Sequence, residues 1–133
     1  MLRRELREYT FKLLFHGNFY EGEELEEQIA NFLENEEGLD EASRQLLAGK
    51  SKEIFPLIPQ LDEKIAAVAK GWKLNRMGKV ELTILRLALY EMLYDDQVPG
   101  KVAINEAVEL AKKYGGAESP QFVNGILAKL ISE

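Results

Sequence analysis

The segment from Gly78 to Tyr94 constrains the fold more than any other part of this sequence. It is apolar on almost every side of a helix, through Val80, Leu82, Ile84, Leu85, Leu87, Ala88, Leu89, Met92 and Leu93. A helix of this kind is normally buried at the centre of a bundle. It is too short to span a bilayer and contains Arg86 and Glu91, so no membrane span is predicted. Arg86 is predicted to pair with a nearby carboxylate while its stem packs.

The other segments also repeat apolar residues at helical spacing, and none shows the alternation of a strand. They predict six further helices, at about residues 3–19, 24–37, 40–55, 59–71, 102–114 and from 120 onwards. Asp40 and Ser119 are predicted N-caps. The sequence therefore predicts an all-α protein of about seven helices. Four of them fall in a subdomain of about residues 1–71 and three in a subdomain of about 72–133.

The net charge of −6 comes from one segment of the chain. Residues 21–42 contain ten acidic residues and no basic one, whereas the remainder is mildly basic. An acidic protein binds nucleic acid poorly through overall charge. Any RNA-binding function must therefore depend on a local basic patch or on a basic partner.

The sequence offers little that could support catalysis. There is no cysteine, which excludes disulfides and thiolate metal sites and fits a reducing cytoplasm. The single histidine, His16, has no nucleophile motif with it and is expected to be packed or solvated. Phosphate-binding and dinucleotide-binding glycine motifs are missing, and residues 1–10 lack the apolar region of a signal peptide. We therefore predict a cytoplasmic protein that is not an enzyme and has no cofactor or metal.

A basic cluster lies at the start of the first predicted helix. Arg3, Arg4 and Arg7 fall on adjacent turns, and the last two lie on the same side as Phe11 and Phe15. Guanidinium groups bind phosphate in a bidentate manner, and exposed aromatic rings can stack on bases or contact a partner. Solvated arginines beside two core phenylalanines would give the same pattern. The residues by themselves leave both interpretations open.

Three sequence blocks resemble the NusB family of bacterial transcription antitermination factors. They are GKVELTILRLALYE at 78–91, VAINEAVELAK at 102–112 and FVNGIL at 122–127. Together with LLAG at 46–49 and the arginine-rich first helix, the resemblance covers essentially the whole chain. It implies two small helical bundles packed together, without cofactor or catalysis. It also implies a heterodimer with the small-subunit ribosomal protein that acts as NusE. This heterodimer is expected to bind the boxA element of nascent ribosomal RNA transcripts. This pair is expected to join other Nus factors on RNA polymerase and suppress premature termination.

The resemblance also implies individual site residues. RNA contacts are expected at Arg3, Arg4, Arg7, Glu118, Gln121 and Phe122. Partner contacts are expected at Phe15 and Glu81. Glu5 stands where relatives often have arginine, which should weaken the basic patch, and Phe15 lacks the hydroxyl of a tyrosine found in some relatives. Phe122 is equally compatible with stacking on a base and with packing in the protein.

Two alternative functions remain open at this stage. The same fold occurs as the RNA-targeting domain of an rRNA cytosine methyltransferase, although that enzyme needs a cofactor-binding catalytic domain, which this sequence lacks. A homodimeric helical interaction module, with its basic face buried between two copies, is the other. The leading prediction is a non-catalytic, RNA-binding antitermination subunit.

Overall fold

The computed structural model describes residues 1–132, and within them it contains seven α-helices, two 3-10 turns and no strand. The helices are α1 (Arg3–His16), α2 (Gly22–Asn35), α3 (Glu41–Ile54), α4 (Ile58–Val68), α5 (Lys79–Tyr94), α6 (Gly100–Tyr114) and α7 (Ser119–Ile131). The 3-10 turns are Phe55–Leu57 and Leu74–Arg76. The predicted all-α class is confirmed. Among these residues, no helix is both long enough and apolar enough to cross a membrane.

The first compact unit, Met1–Pro56, is formed by α1, α2 and α3, which pack against one another. Its core contains Leu13, Ile29, Leu33, Leu39 and Leu47. Arg44 of α3 fixes the end of the acidic α2, because its Nε donates to the carbonyl of Leu33 at 2.8 Å. A cation at the carboxyl end of a helix also favours the helix dipole.

The second compact unit begins at Leu57 and is organised around α5. Helix α5 packs against α4, α6 and α7, and almost every residue from Leu82 to Glu91 is buried. Ile84 and Leu85 are fully inaccessible to solvent. The prediction that this apolar segment forms a buried central helix is confirmed.

Arg86, the half-buried charge on this central helix, forms a bidentate pair with Asp62 of α4. Its Nε lies 2.7 Å from Oδ1 and its Nη2 lies 2.8 Å from Oδ2. The two side chains are 14% and 25% exposed. The planar fork of arginine matches a carboxylate in this geometry, so the predicted pairing of Arg86 is confirmed and its partner is identified.

The boundary between the units differs from the predicted one at residues 71/72. The structure divides the chain at Pro56 and Leu57, so α4 belongs to the second unit. The reason is that Leu61 and Ile65 of α4 are fully buried and α4 packs against α5 and α7. The apolar periodicity identified α4 correctly as a helix. Periodicity contains no information, however, about which neighbouring helices bury α4.

One of the two predicted N-caps is confirmed. The Asp40 side chain accepts a hydrogen bond from the backbone N–H of Ser43 at 2.8 Å, and this bond lowers the pKa of the Asp40 carboxyl. The prediction for Ser119 is wrong: this residue is the first of α7, and Glu118 precedes it without a side-chain cap. The Ser119 hydroxyl instead contacts a carboxylate from another helix, as described below.

Candidate nucleic-acid interface

The three N-terminal arginines lie in the first two turns of α1. Arg3 and Arg4 are exposed, and Arg7 is half-buried. Leu2, at the N-cap position, gives the helix no side-chain cap. The backbone N–H groups in the first turn of a helix have no intrahelical acceptor, and the helix dipole adds to the arginine charge in favouring an anion.

The phenylalanines of α1 are placed differently from one another. Phe11 is 3% exposed, so it belongs to the core and has no surface for a ligand. Phe15 is half-buried, and its ring lies 6.1 Å from Phe11 and 5.4 Å from Phe19 between centroids. Phe19 is exposed. Of the two phenylalanines considered from the sequence, only Phe15 retains accessible surface that a partner could contact.

The second set of predicted RNA contacts lies at the start of α7. Glu118 and Gln121 are exposed, and Phe122 is half-buried. Phe122 makes an edge-to-face contact with Trp72, with ring centroids 5.2 Å apart. Trp72 is itself 56% exposed. Phe122 thus packs against another aromatic side chain of the protein, and Trp72 presents more open surface beside it.

Glu81, the other predicted partner contact, forms a hydrogen-bond network inside the second unit. Its Oε2 accepts from the Ser119 hydroxyl at 2.5 Å, and the Ser119 oxygen accepts from the Gly116 N–H at 2.9 Å. A Cβ at Gly78 would displace the Glu81 carboxylate from this position, so glycine leaves room for it. Glu81 therefore holds the turn that leads into Glu118, Gln121 and Phe122.

Within each unit, the structure places some of the predicted site residues on the same helix or links them through a hydrogen bond. In the first unit, α1 contains both the arginines and Phe15. In the second unit, a hydrogen bond joins Glu81 to Ser119, which lies directly next to Glu118. Trp72 was not predicted as a site residue from the sequence. The feature that could have identified it is the basic segment around it, since no acidic residue occurs between Glu63 and Glu81.

His16 has a structural role in the first unit. Its Nδ1 lies 2.8 Å from the Lys12 carbonyl, to which it donates, and its ring contacts Phe32 with centroids 5.5 Å apart. This agrees with the expectation of a packed histidine. Among residues 1–132, no cluster of three or more histidine and acidic side chains has the geometry to hold a metal ion.

The fold and the candidate interface define the class as an all-helical binding protein. The side chains at the interface carry guanidinium, carboxylate, amide and aromatic groups, all of which are suited to binding. A sequence model of the NusB family matches residues 4–132.

Named relatives give the same result. The chain is 50% identical to the transcription antitermination protein NusB of Lachnoclostridium phytofermentans, over 98% of this chain and 99% of that protein. It is 46% identical to the protein of the same name from Agathobacter rectalis, over 97% and 98% of the two chains. A solved structure of T. maritima NusB superposes with a TM-score of 0.87 at 34% identity, covering 100% of this chain and 92% of the other.

The chain therefore belongs to the NusB family. Its general role is transcription antitermination, and it is not an enzyme.

Proposed function

We propose that the protein binds the boxA element of nascent ribosomal RNA transcripts together with the small-subunit ribosomal protein that acts as NusE. The pair then joins other Nus factors on RNA polymerase and suppresses premature termination. Because bacterial transcription takes place in the cytoplasm, the proposed function locates the protein there. The observation that carries the proposal is the basic start of α1, where Arg3 and Arg4 are exposed beside an uncapped helix terminus.

This surface is suited to a phosphate backbone. Arginine binds phosphate with two parallel hydrogen bonds, and the N-terminus of α1 adds a partial positive charge. A single-stranded element also exposes its base edges. At the start of α7, Glu118 can accept a hydrogen bond from a base amino group, and the Gln121 amide can both donate and accept. Phosphate binding and base reading can thus be divided between two sets of side chains.

The charge distribution explains why a partner is part of the proposal. The chain has a net charge of −6, and ten acidic residues lie within residues 21–42. Three arginines that neutralise about three phosphates of a single strand give a salt slope of log K of roughly −2, which is a weak contribution. A basic ribosomal protein would supply the missing positive charge. Phe15 and Glu81 are the proposed contacts to it.

A mobility shift with boxA RNA and a scrambled RNA of equal composition, with and without the ribosomal protein, tests the proposal. We expect the pair to shift boxA RNA at lower protein concentration than the scrambled RNA. Equal shifts of both RNAs by the protein and by the pair would contradict the proposal. Light scattering of the same samples distinguishes the proposed heterodimer from a homodimer.

Substitutions separate the RNA surface from the partner surface. Changing Arg3, Arg4 and Arg7 to alanine should weaken RNA binding and leave partner binding intact. A charge-matched control changes three exposed lysines on other helices: Lys52, Lys101 and Lys112. If both triple variants lose RNA affinity equally, α1 is not the specific RNA surface. Phe15→Ala should weaken partner binding only, and it is a cleaner test than Glu81→Ala, because Glu81 also holds the turn before α7.

A further inference from the structure

The segment between α4 and α5 holds Trp72 in a fixed position. Gly71 has a positive φ of 82°, which turns the chain sharply after α4. The Trp72 N–H then donates to the Ala69 carbonyl at 2.9 Å. Ala69 and Met77 are buried at the two ends of the segment. The chain is therefore anchored on both sides of the exposed tryptophan.

Trp72 presents a large aromatic surface to solvent. It is 56% exposed, although tryptophan is normally well buried in a folded protein. One part of its ring contacts Phe122, at an interplanar angle of 72°. Phe122 fixes the orientation of the indole, because aromatic pairs prefer this edge-to-face arrangement. The remaining exposed surface of the ring forms an aromatic platform.

Exposed basic residues flank this platform in the sequence. Lys70, Lys73 and Arg76 are all exposed and lie within six residues of Trp72. The 3-10 turn at Leu74–Arg76 keeps this stretch compact, with the Arg76 N–H donating to the Lys73 carbonyl at 2.9 Å. No acidic residue occurs from Lys64 to Val80. The local charge is strongly positive in a protein that is acidic overall.

We propose that Trp72 stacks on a base of single-stranded RNA while Lys70, Lys73 and Arg76 bind the adjoining phosphates. Proteins that bind single strands combine a basic track with aromatic side chains on which bases stack, and both components are present in this segment. The occupant is RNA and not an apolar partner, because three exposed basic residues lie within four positions of Trp72 in the chain. This inference rests on the proposed function and extends it by one contact surface. It also assigns Phe122 a positioning role: it orients the tryptophan on which the base stacks.

Trp72 is the single tryptophan of the chain, so its fluorescence reports on this surface directly. A short single-stranded boxA RNA is titrated into the protein alone at about 50 mM salt, where phosphate contacts are strongest. Free N-acetyltryptophanamide, titrated in parallel, corrects for absorption by the RNA. We expect RNA to quench the emission of Trp72 and to reduce its accessibility to acrylamide.

Variants test whether the ring contributes to affinity, measured by anisotropy of labelled RNA. Trp72→Leu removes the aromatic face and keeps apolar bulk against Phe122, so RNA binding should weaken by about 5- to 100-fold. Trp72→Phe should recover part of this loss. Tyr94→Leu, which alters another exposed aromatic side chain in the same unit, is the matched control and should bind RNA like the wild type. Circular dichroism confirms that each variant is folded.

The basic residues are tested by the salt dependence of binding. Changing Lys73 and Arg76 to glutamine removes about two phosphate contacts, so the slope of log K against log salt should become shallower by roughly 1.4. An unchanged slope would exclude these side chains from the RNA contact.

The outcomes separate this inference from the proposed function. If boxA RNA binds but Trp72 emission and Trp72→Leu affinity are unchanged, the inference is overturned and the proposed function stands. If emission responds equally to boxA and to scrambled RNA, the platform is supported as a general single-strand contact, and the boxA preference of the pair is decided by the mobility shift. If Trp72 responds to the ribosomal protein and not to RNA, this surface binds a protein and the inference is wrong.

Discussion

Removing the Ser119 hydroxyl tests whether Glu81 acts inside the protein as well as towards a partner. Ser119 is 8% exposed, and its oxygen joins the Gly116 N–H to the Glu81 carboxylate. A hydrogen bond to a charged group contributes about 1.5–3 kcal/mol when it is buried. Since Glu81 is only half-buried, water replaces part of this interaction in the variant. We therefore expect Ser119→Ala to lower the free energy of unfolding by about 1–2 kcal/mol.

The assay is a double-mutant cycle of Ser119→Ala, Glu81→Ala and the pair, measured by urea unfolding followed by circular dichroism. Two residues in direct contact show interaction energies of about 0.5–3 kcal/mol. We expect the double variant to be less destabilised than the sum of the single variants, by about 1 kcal/mol. Additive effects would show that the hydrogen bond contributes nothing to stability.

The same three variants separate the two roles of Glu81. If Glu81 contacts the partner directly, Glu81→Ala weakens partner binding and Ser119→Ala does not. If Glu81 acts only by holding the turn before α7, both single variants weaken binding to the same extent. Isothermal titration calorimetry with the ribosomal protein measures this difference, and the second result would refute the assignment of Glu81 as a partner contact.

Two further predictions follow from the polar contacts. Asp62→Ala removes the carboxylate that pairs with Arg86, whose side chain is only 14% exposed. This should lower the free energy of unfolding by about 2 kcal/mol, which is less than for a fully buried pair. An unchanged urea midpoint would contradict this prediction. Asp40 stabilises α3 as an ionised cap with a lowered pKa, so its contribution is complete above its unfolded-state pKa and is lost as the pH falls through the lower folded-state pKa. Asp40→Ala should therefore reduce thermal stability at pH 7 but have little effect at about pH 2. Asp40→Asn should reduce it less at pH 7, because asparagine also caps helices. A difference in melting temperature between the wild type and Asp40→Ala that does not change with pH would refute this.

The sequence predicted the elements of the fold well, because each helix has a regular apolar face. Helix α5 is the clearest case, since its apolar residues surround the helix and only a central position can bury them. Asp40 was also predictable, because capping depends on residues three positions apart. In both cases the controlling interactions are local in the sequence.

Features that depend on distant residues were not predictable in the same way. Ser119 has the composition of an N-cap, but its hydroxyl contacts Glu81, 38 positions away. The partner of Arg86, 24 positions away, could be expected as a carboxylate but not identified as Asp62. The contact between Trp72 and Phe122 likewise brings two separate segments together. Periodicity cannot show such pairs, which arise from tertiary packing.

We propose that this NusB-family protein recognises boxA RNA through the arginines of α1 together with a basic protein partner. The most direct test of this proposal is the ratio of the dissociation constants for scrambled and boxA RNA, measured by anisotropy for the pair at physiological salt. We expect the pair to prefer boxA RNA by roughly tenfold or more, and alanine at Arg3, Arg4 and Arg7 to weaken its binding. A ratio of one for the pair, or unchanged boxA affinity in the triple variant, would contradict the account.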